Sequence, residues 1–550
     1  MDALFVPLVS ATGASIDQLK LITCLLVSYP LGSLFIRIPS SHPHLKHVFN
    51  LSIAFFYFIP VLQLYSAFLQ LLGDVLVTYV VTAVAKGPRM PWVVFAIMMG
   101  HLTVNHVIRA VYDLSYETLE VTGPQMVLVM KLTTFAWNIY DGKRPEQDLD
   151  KWQLEKRVVE HPSLLEFLGY AFYFPGVLVG PFLEFNAYTD MINGTVFKSP
   201  SGSPKEGARR RAIPAGRKRV AYRKGLYGLI YLGLWVVFSP SFYFGIAVTD
   251  WFAQQSIPFR ILYIQFCGFM ERSKYYGIWT LTEGASILTG LGFTGYGPSG
   301  ESRWEGAANV NVRQIEFAPN FKVLLDSWNT KTNVWLRECV YKRVTPKGKK
   351  PGFRSSMITF ATSAFWHGVA PGYYLTFILG GFVQTAGRLC RANLRPLVLP
   401  AAAPAPVSRV PTNSSNSSSS SDVPSRKQAP SLPPPEPPRT TLKRAYDIAG
   451  TVCAVMLVNY ACMPFMLLTV QASLEAWSRL AWYGHWMVGS CLVFFYAGGR
   501  SVLRRIQAQR LKEAGATGSD NGSLVQEDRL FILVLPGVDN GVEEVEKKLE

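Results

Sequence analysis

Long apolar blocks alternate with short polar stretches along this chain. Leu21–Ile38, Leu51–Leu72 and Pro91–Tyr112 are each long enough to cross a hydrocarbon core of about 30 Å, which takes roughly 20 helical residues. Further blocks lie at 125–137, 164–182, 225–248, 261–270, 356–389, 449–470 and 480–497. The pattern predicts an all-α polytopic membrane protein of about 11 transmembrane or re-entrant helices. Residues 1–395 read as one membrane body without solenoid-type repeats. Residues 396–444, rich in Ser and Pro, hold too few apolar side chains to bury a core and read as a disordered loop. Two more membrane helices are expected within 445–499, then a polar tail, 500–550, ending in KKLE.

Polar residues inside apolar blocks are costly and mark where a membrane helix faces protein or a cavity. His101, Asn105, His106, Arg109 and Asp113 share one block, at spacings that suit an interior hydrogen-bond network or a helix end. His485 sits among aromatics near the start of the last block, as an interfacial residue does. His367 differs. It lies between Trp366 and Gly368, and Pro371-Gly372 follows closely enough to interrupt the helix. Broken helices are tolerated at membrane depth where they line a cavity or are buried in protein, so this stretch predicts a pocket. Upstream, Asp326–Arg343 places Trp328, Thr332, Trp335, Leu336, Cys339 and Val340 on one helical face and ends in cations, an amphipathic interfacial pattern. Asn329 and Asn333 are i,i+4 neighbours on that expected helix.

Charge sharpens the orientation. The formal net charge of +17 gathers in Lys205–Lys224, Arg337–Arg354 and Gly499–Lys512. Between membrane helices such runs mark cytosolic loops, so no nucleic-acid partner is expected. The seven cysteines are scattered singly with no CxxC pair, which argues against a disulfide framework, a zinc site or any other bound metal. The first 20 residues lack a cationic start and a cleavage site, so the first block is expected to serve as the targeting signal. The terminal KKLE resembles a dilysine retrieval signal, an address for coatomer. It implies the endoplasmic reticulum membrane with a cytosolic C-terminus, and an unglycosylated Asn521.

Five stretches, in this order, resemble the membrane-bound O-acyltransferase family, and within it the lysophospholipid acyltransferase branch in its fungal, broad-specificity form. They are KLTTFAWNIYDG (131–142), PGVLVGPFLEFNAYTDMING (175–194), ERSKYYGIWTLTEGASILTGLGF (271–293), SWNTKTNVWLRECVYKR (327–343) and SAFWHGVAPGYYLTF (363–377). The resemblance implies a helical bundle enclosing a reaction chamber, with 1–395 as the catalytic core. It further implies acyl transfer from acyl-CoA, as co-substrate and with no permanently bound cofactor, to the free hydroxyl of a lysophospholipid, usually at sn-2. The family's catalytic pair falls on His367 and Asn329. An alcohol is a weak nucleophile, and a neutral imidazole suits the removal of its proton as it attacks a thioester. Asn329 would stabilise the oxyanion, or orient the substrate or His367. Trp328, Trp335, Arg272, Lys274, Tyr275 and Tyr276 are candidate substrate contacts. Arg337, Lys342 and Arg343, with the Lys347–Lys350 cluster, are candidate contacts for the CoA phosphates. Membrane lipids are expected partners and a homodimer is admitted. The alternatives are a family member with a sterol, diacylglycerol or protein acceptor, and a transporter. The paired interrupted spans of two related halves, which a transporter would show, are not seen.

Overall fold

The structure, a computed structural model, describes residues 2–114, 118–197, 213–297, 299–346, 352–400 and 440–513. The Lys347–Lys350 cluster, the Ser/Pro-rich stretch 401–439, Asn521 and KKLE lie outside the described residues. Among those described, helices dominate, and the only sheet is the antiparallel pair Gly295–Tyr296 and Ser302–Arg303.

Five helical stretches are long and apolar enough to cross a membrane: Ile16–Phe35, Tyr65–Val84, Met90–Val111, Thr441–Leu467 and Tyr483–Lys512. Their outer faces carry exposed apolar side chains such as Val80, Val104, Ile108 and Val493, as a lipid-facing surface requires. The expected number of about 11 crossings is not reached by length and composition alone. The Thr122–Gly142 helix shows why. It is long, but its buried Lys131, Asn138 and Asp141 lower its hydropathy, and protein rather than lipid surrounds it. The block at 164–182 yields only an eight-residue helix, Leu164–Ala171, followed by buried irregular chain.

Among the described residues four apolar clusters organise the packing, and three of them bear on the site. The largest joins the five helices from Ile16–Phe35 to Thr122–Gly142 and also takes in Trp335, Cys339 and Trp366 from far down the chain. A second gathers Phe321, Leu379, Val383 and residues of the helices that follow the 401–439 stretch. A third packs Tyr276 with Val310, Ile315 and Leu324, with Trp328 against it. Of the two readings of the polar face of Met90–Val111, a network or a helix end, the structure shows a network. Asp74 pairs with His101 at 2.7 Å, Gln125 donates to Asp74 at 3.0 Å, and Asn105 donates to Gln125 at 2.8 Å. Arg109 pairs with Glu120 at 2.6 Å. His485 bonds the Tyr460 hydroxyl at 2.6 Å within an aromatic cluster.

Candidate functional site

His367 is the last residue of the Phe353–His367 helix, which stops because Gly368 takes φ 137°, a conformation closed to most side chains. A Cβ at Gly368 would stand 3.2 Å from the Tyr373 ring and 3.4 Å from His106 Nδ1. The break predicted at Pro371-Gly372 therefore falls three residues earlier. Pro371 instead opens the next helix, Pro371–Val398, where its missing N–H costs nothing. Gly372 seats that helix. Its N–H donates to Leu468 O at 2.7 Å, and a Cβ there would lie 2.0 Å from Pro464 O.

Rings hold the imidazole. Trp366, Phe465, Phe377 and Tyr373 stand 4.7, 4.8, 5.5 and 5.9 Å from it, centroid to centroid. Phe465 comes from Thr441–Leu467, beyond the 401–439 stretch. The His367 ring stays partly accessible, and none of the described hydrogen bonds engages its nitrogens. Its neighbour is fixed firmly instead. His106 Nε2–H donates to Trp366 O at 3.2 Å, and Trp366 Nε1–H donates to Met126 O at 3.0 Å.

Asn329 is held differently. The amphipathic helix expected over 326–343 is three pieces: Phe321–Ser327, Thr330–Trp335 and a π-helical turn, Leu336–Tyr341. Asn329 causes the interruption by taking φ 43° and ψ 54°, which Asn tolerates better than most residues. Its i,i+4 partner Asn333 does not share its environment, and donates to Leu325 O at 3.0 Å. Asn329 Oδ1 accepts from Asn309 Nδ2 at 3.1 Å and from Thr332 Oγ1 at 2.8 Å. Among the described residues no hydrogen bond engages its Nδ2. The loop at 306–311 is stitched to this turn: Thr330 N–H donates to Asn309 O at 2.9 Å, and Asn311 N–H to Ser327 O at 3.0 Å.

Both modules dock on one helix. Thr332 Oγ1 lies 3.3 Å from Met130 Sδ, and Trp335 Nε1–H donates to Thr133 Oγ1 at 2.9 Å. Met126, Met130 and Thr133, at i, i+4 and i+7, form one face of Thr122–Gly142. The Trp335 and Trp366 rings meet at 5.7 Å and close the junction.

The remaining sequence candidates have partners. Trp328 packs against Tyr275, Tyr276 and Trp279. Arg272 forms a two-pronged pair with Glu316 at 2.8 Å and also reaches Asn459, tying Ile257–Thr289 to Thr441–Leu467. Lys274 lies over the Trp235 and Tyr275 rings at 5.5 and 5.2 Å. Arg343 pairs with Asp141 and stacks on Trp137 at 4.2 Å. Lys342 pairs with Asp150 and Glu338, both at 2.7 Å. Burial alone would raise the Asp150 carboxyl; the Lys342 bond and charge and the Gln153 N–H together bring it below its usual value. Arg337 pairs only with its neighbour Glu338 and remains half-exposed in a cleft of about 430 Å³ lined also by Lys151 and Trp152. Among the described residues no group of three metal-ligating side chains occurs. Sequence reasoning missed Asn309 and Phe465. Neither carries a charge or a motif, and each reaches the site only through the fold.

The sequence profile of the membrane-bound O-acyltransferase family matches residues 108–404, and the chain belongs to that family. With its five apolar helices, it is a multi-pass membrane protein and an acyltransferase. It is similar to a protein named lysophospholipid acyltransferase from Schizosaccharomyces pombe, 36% identical over 92% of each chain. A lysophospholipid acyltransferase from Saccharomyces cerevisiae is 35% identical over 90% of this chain and 76% of its own. The membrane-bound glycerophospholipid O-acyltransferase 2 of Mus musculus is 29% identical over 92% of this chain and 90% of its own.

Proposed function

We propose that this enzyme transfers the acyl group of an acyl-CoA to the free hydroxyl, at sn-2, of a lysophospholipid. His367 takes the hydroxyl proton as the oxygen attacks the thioester carbon. The thioester oxygen gains negative charge, and Asn329 Nδ2–H donates to it. The C–S bond then breaks, and the CoA sulfur leaves with the proton that His367 carried. The thioester is already activated, so no serine or cysteine relay is required.

One observation carries this reading: Asn329 has its carbonyl oxygen engaged twice, while its amide N–H has no partner among the described residues. That suits a donor to a developing oxyanion rather than an acceptor. The names of the yeast and mouse relatives support the acceptor class. Arg337 and Lys342, beside the 430 Å³ cleft, are proposed to meet the CoA phosphates. The cationic run Gly499–Lys512, after the last apolar block, supports a cytosolic placement of that segment. The test is transfer from labelled oleoyl-CoA to a panel of lysophospholipids, sterol and diacylglycerol by purified wild type and His367→Ala. Transfer to lysophospholipids by the wild type alone is expected. Undiminished transfer by the variant removes His367 from the reaction, and preference for sterol or diacylglycerol reassigns the acceptor.

A further inference from the structure

We infer that Asn309 is a positioning residue that decides which end of the Asn329 amide faces the reacting thioester. This rests on the reading of Asn329 as an oxyanion donor.

A carboxamide presents a donor and an acceptor of nearly equal size, so packing alone does not choose between its two orientations. Something of fixed polarity must choose. Thr332 cannot, because its hydroxyl turns to donate or accept as required. Asn309 can. The backbone N–H of Lys331, which is only a donor, gives its hydrogen to Asn309 Oδ1 at 3.0 Å. Asn309 is therefore oriented with Nδ2 toward Asn329, and that Nδ2 donates to Asn329 Oδ1 at 3.1 Å. The polarity passes from a backbone amide, through one side chain, to the next. It leaves Asn329 Nδ2 as the free end.

Asn309 is buried, 5% exposed, and its own backbone carbonyl accepts from Thr330 N–H at 2.9 Å. Thr330 Oγ1–H donates to Ala308 O at 3.0 Å and Lys331 Nζ to Gly306 O at 2.7 Å. The loop bearing Asn309 is thus fixed to the turn bearing Asn329 by contacts that do not involve the Asn309 side chain. Substitution of that side chain tests polarity with the loop still anchored.

The experiment compares Asn309→Asp, Asn309→Ala, Asn329→Asp and the double variant Asn309→Asp/Asn329→Asp with wild type. Each is assayed for kcat and KM across pH and for thermal stability in detergent. In Asn309→Asp the ionised carboxylate still accepts from Lys331 N–H but now faces Asn329 with an acceptor. The Asn329 amide reverses and presents oxygen to the site. The expected result is a kcat about 10²-fold lower with KM within about twofold of wild type. At low pH the protonated carboxyl again donates to Asn329 Oδ1, so the ratio of variant to wild-type kcat rises. Asn309→Ala lets the amide sample both orientations and should lose less, about two- to tenfold. A merely structural role predicts the opposite order, because alanine deletes both hydrogen bonds. In the double variant the loss should equal that of Asn329→Asp alone. The inference is overturned if alanine is the more damaging change, if Asn309→Asp keeps wild-type kcat at high pH, or if the two losses multiply. A fully active Asn329→Asp would instead sink the donor reading on which it rests.

Discussion

Asn329 is held by hydrogen bonds and His367 by rings. Both carbonyl-side contacts of Asn329 are directed polar bonds, and the one from Asn309 is traceable to a backbone amide. His367 has ring contacts with Trp366, Tyr373, Phe377 and Phe465 and, among the described residues, no side-chain hydrogen bond. The difference suits the role proposed for each group. An amide has to offer one chosen end, and only directional bonds supply that choice. An imidazole has to gain and lose a proton, and a fixed polar partner would bias one state. Rings place it without choosing.

The most damaging way to break this comparison is to remove the base. His367→Ala should lower acyl transfer about 10³-fold, with thermal stability in detergent nearly unchanged. Transfer within tenfold of wild type would show that the imidazole is scenery. Asn329→Asp keeps shape and the left-handed backbone but replaces the free donor by an acceptor. It should cost about 10²-fold in kcat with little change in KM, read from initial rates. Gly372→Ala attacks the seat of the ring side rather than the chemistry. Its methyl would drive into Pro464 O, and a loss of about 1–3 kcal/mol is expected from thermal melts. Phe465→Leu removes one wall of the imidazole and leaves the Asn329 side untouched. A three- to tenfold lower kcat is expected, about 0.5–1.5 kcal/mol. Smallest of all, Arg337→Gln should raise acyl-CoA KM about two- to threefold, an effect that shrinks with added salt. A KM that stays constant at every salt concentration would free Arg337 from the donor substrate.

The ring side was more legible in the sequence than the polar side. A histidine between tryptophan and glycine ahead of Pro-Gly announces a helix end, and the end lies at Gly368 because glycine alone accepts φ 137° there. The Asn329 side misled, since Trp328, Trp335 and Cys339 do fall at helical spacing. Periodicity cannot report that one asparagine in the middle turns left-handed. Asn309 was invisible for a related reason. Its partner lies 20 residues on, and the register between them comes from the backbone stitches at 306–311. Arg272 and Arg343 looked like ligand-seeking cations because a sequence displays charges and hides their counterions, here Glu316 and Asp141. The expected count of about 11 exceeds the five helices that length and apolarity alone pick out, since helices such as Thr122–Gly142 carry buried Lys131, Asn138 and Asp141 within protein walls.

Phe465 also sets a schedule. The chain emerges from the ribosome N-terminus first, so His367, Asn329 and Asn309 are synthesised 98, 136 and 156 residues before the ring that closes over the imidazole. Until the Thr441–Leu467 helix is inserted, Gly372 has no Leu468 carbonyl to dock on and Arg272 has no Asn459. A nascent chain cut before that helix therefore carries His367 and Asn329 without the ring that encloses the imidazole.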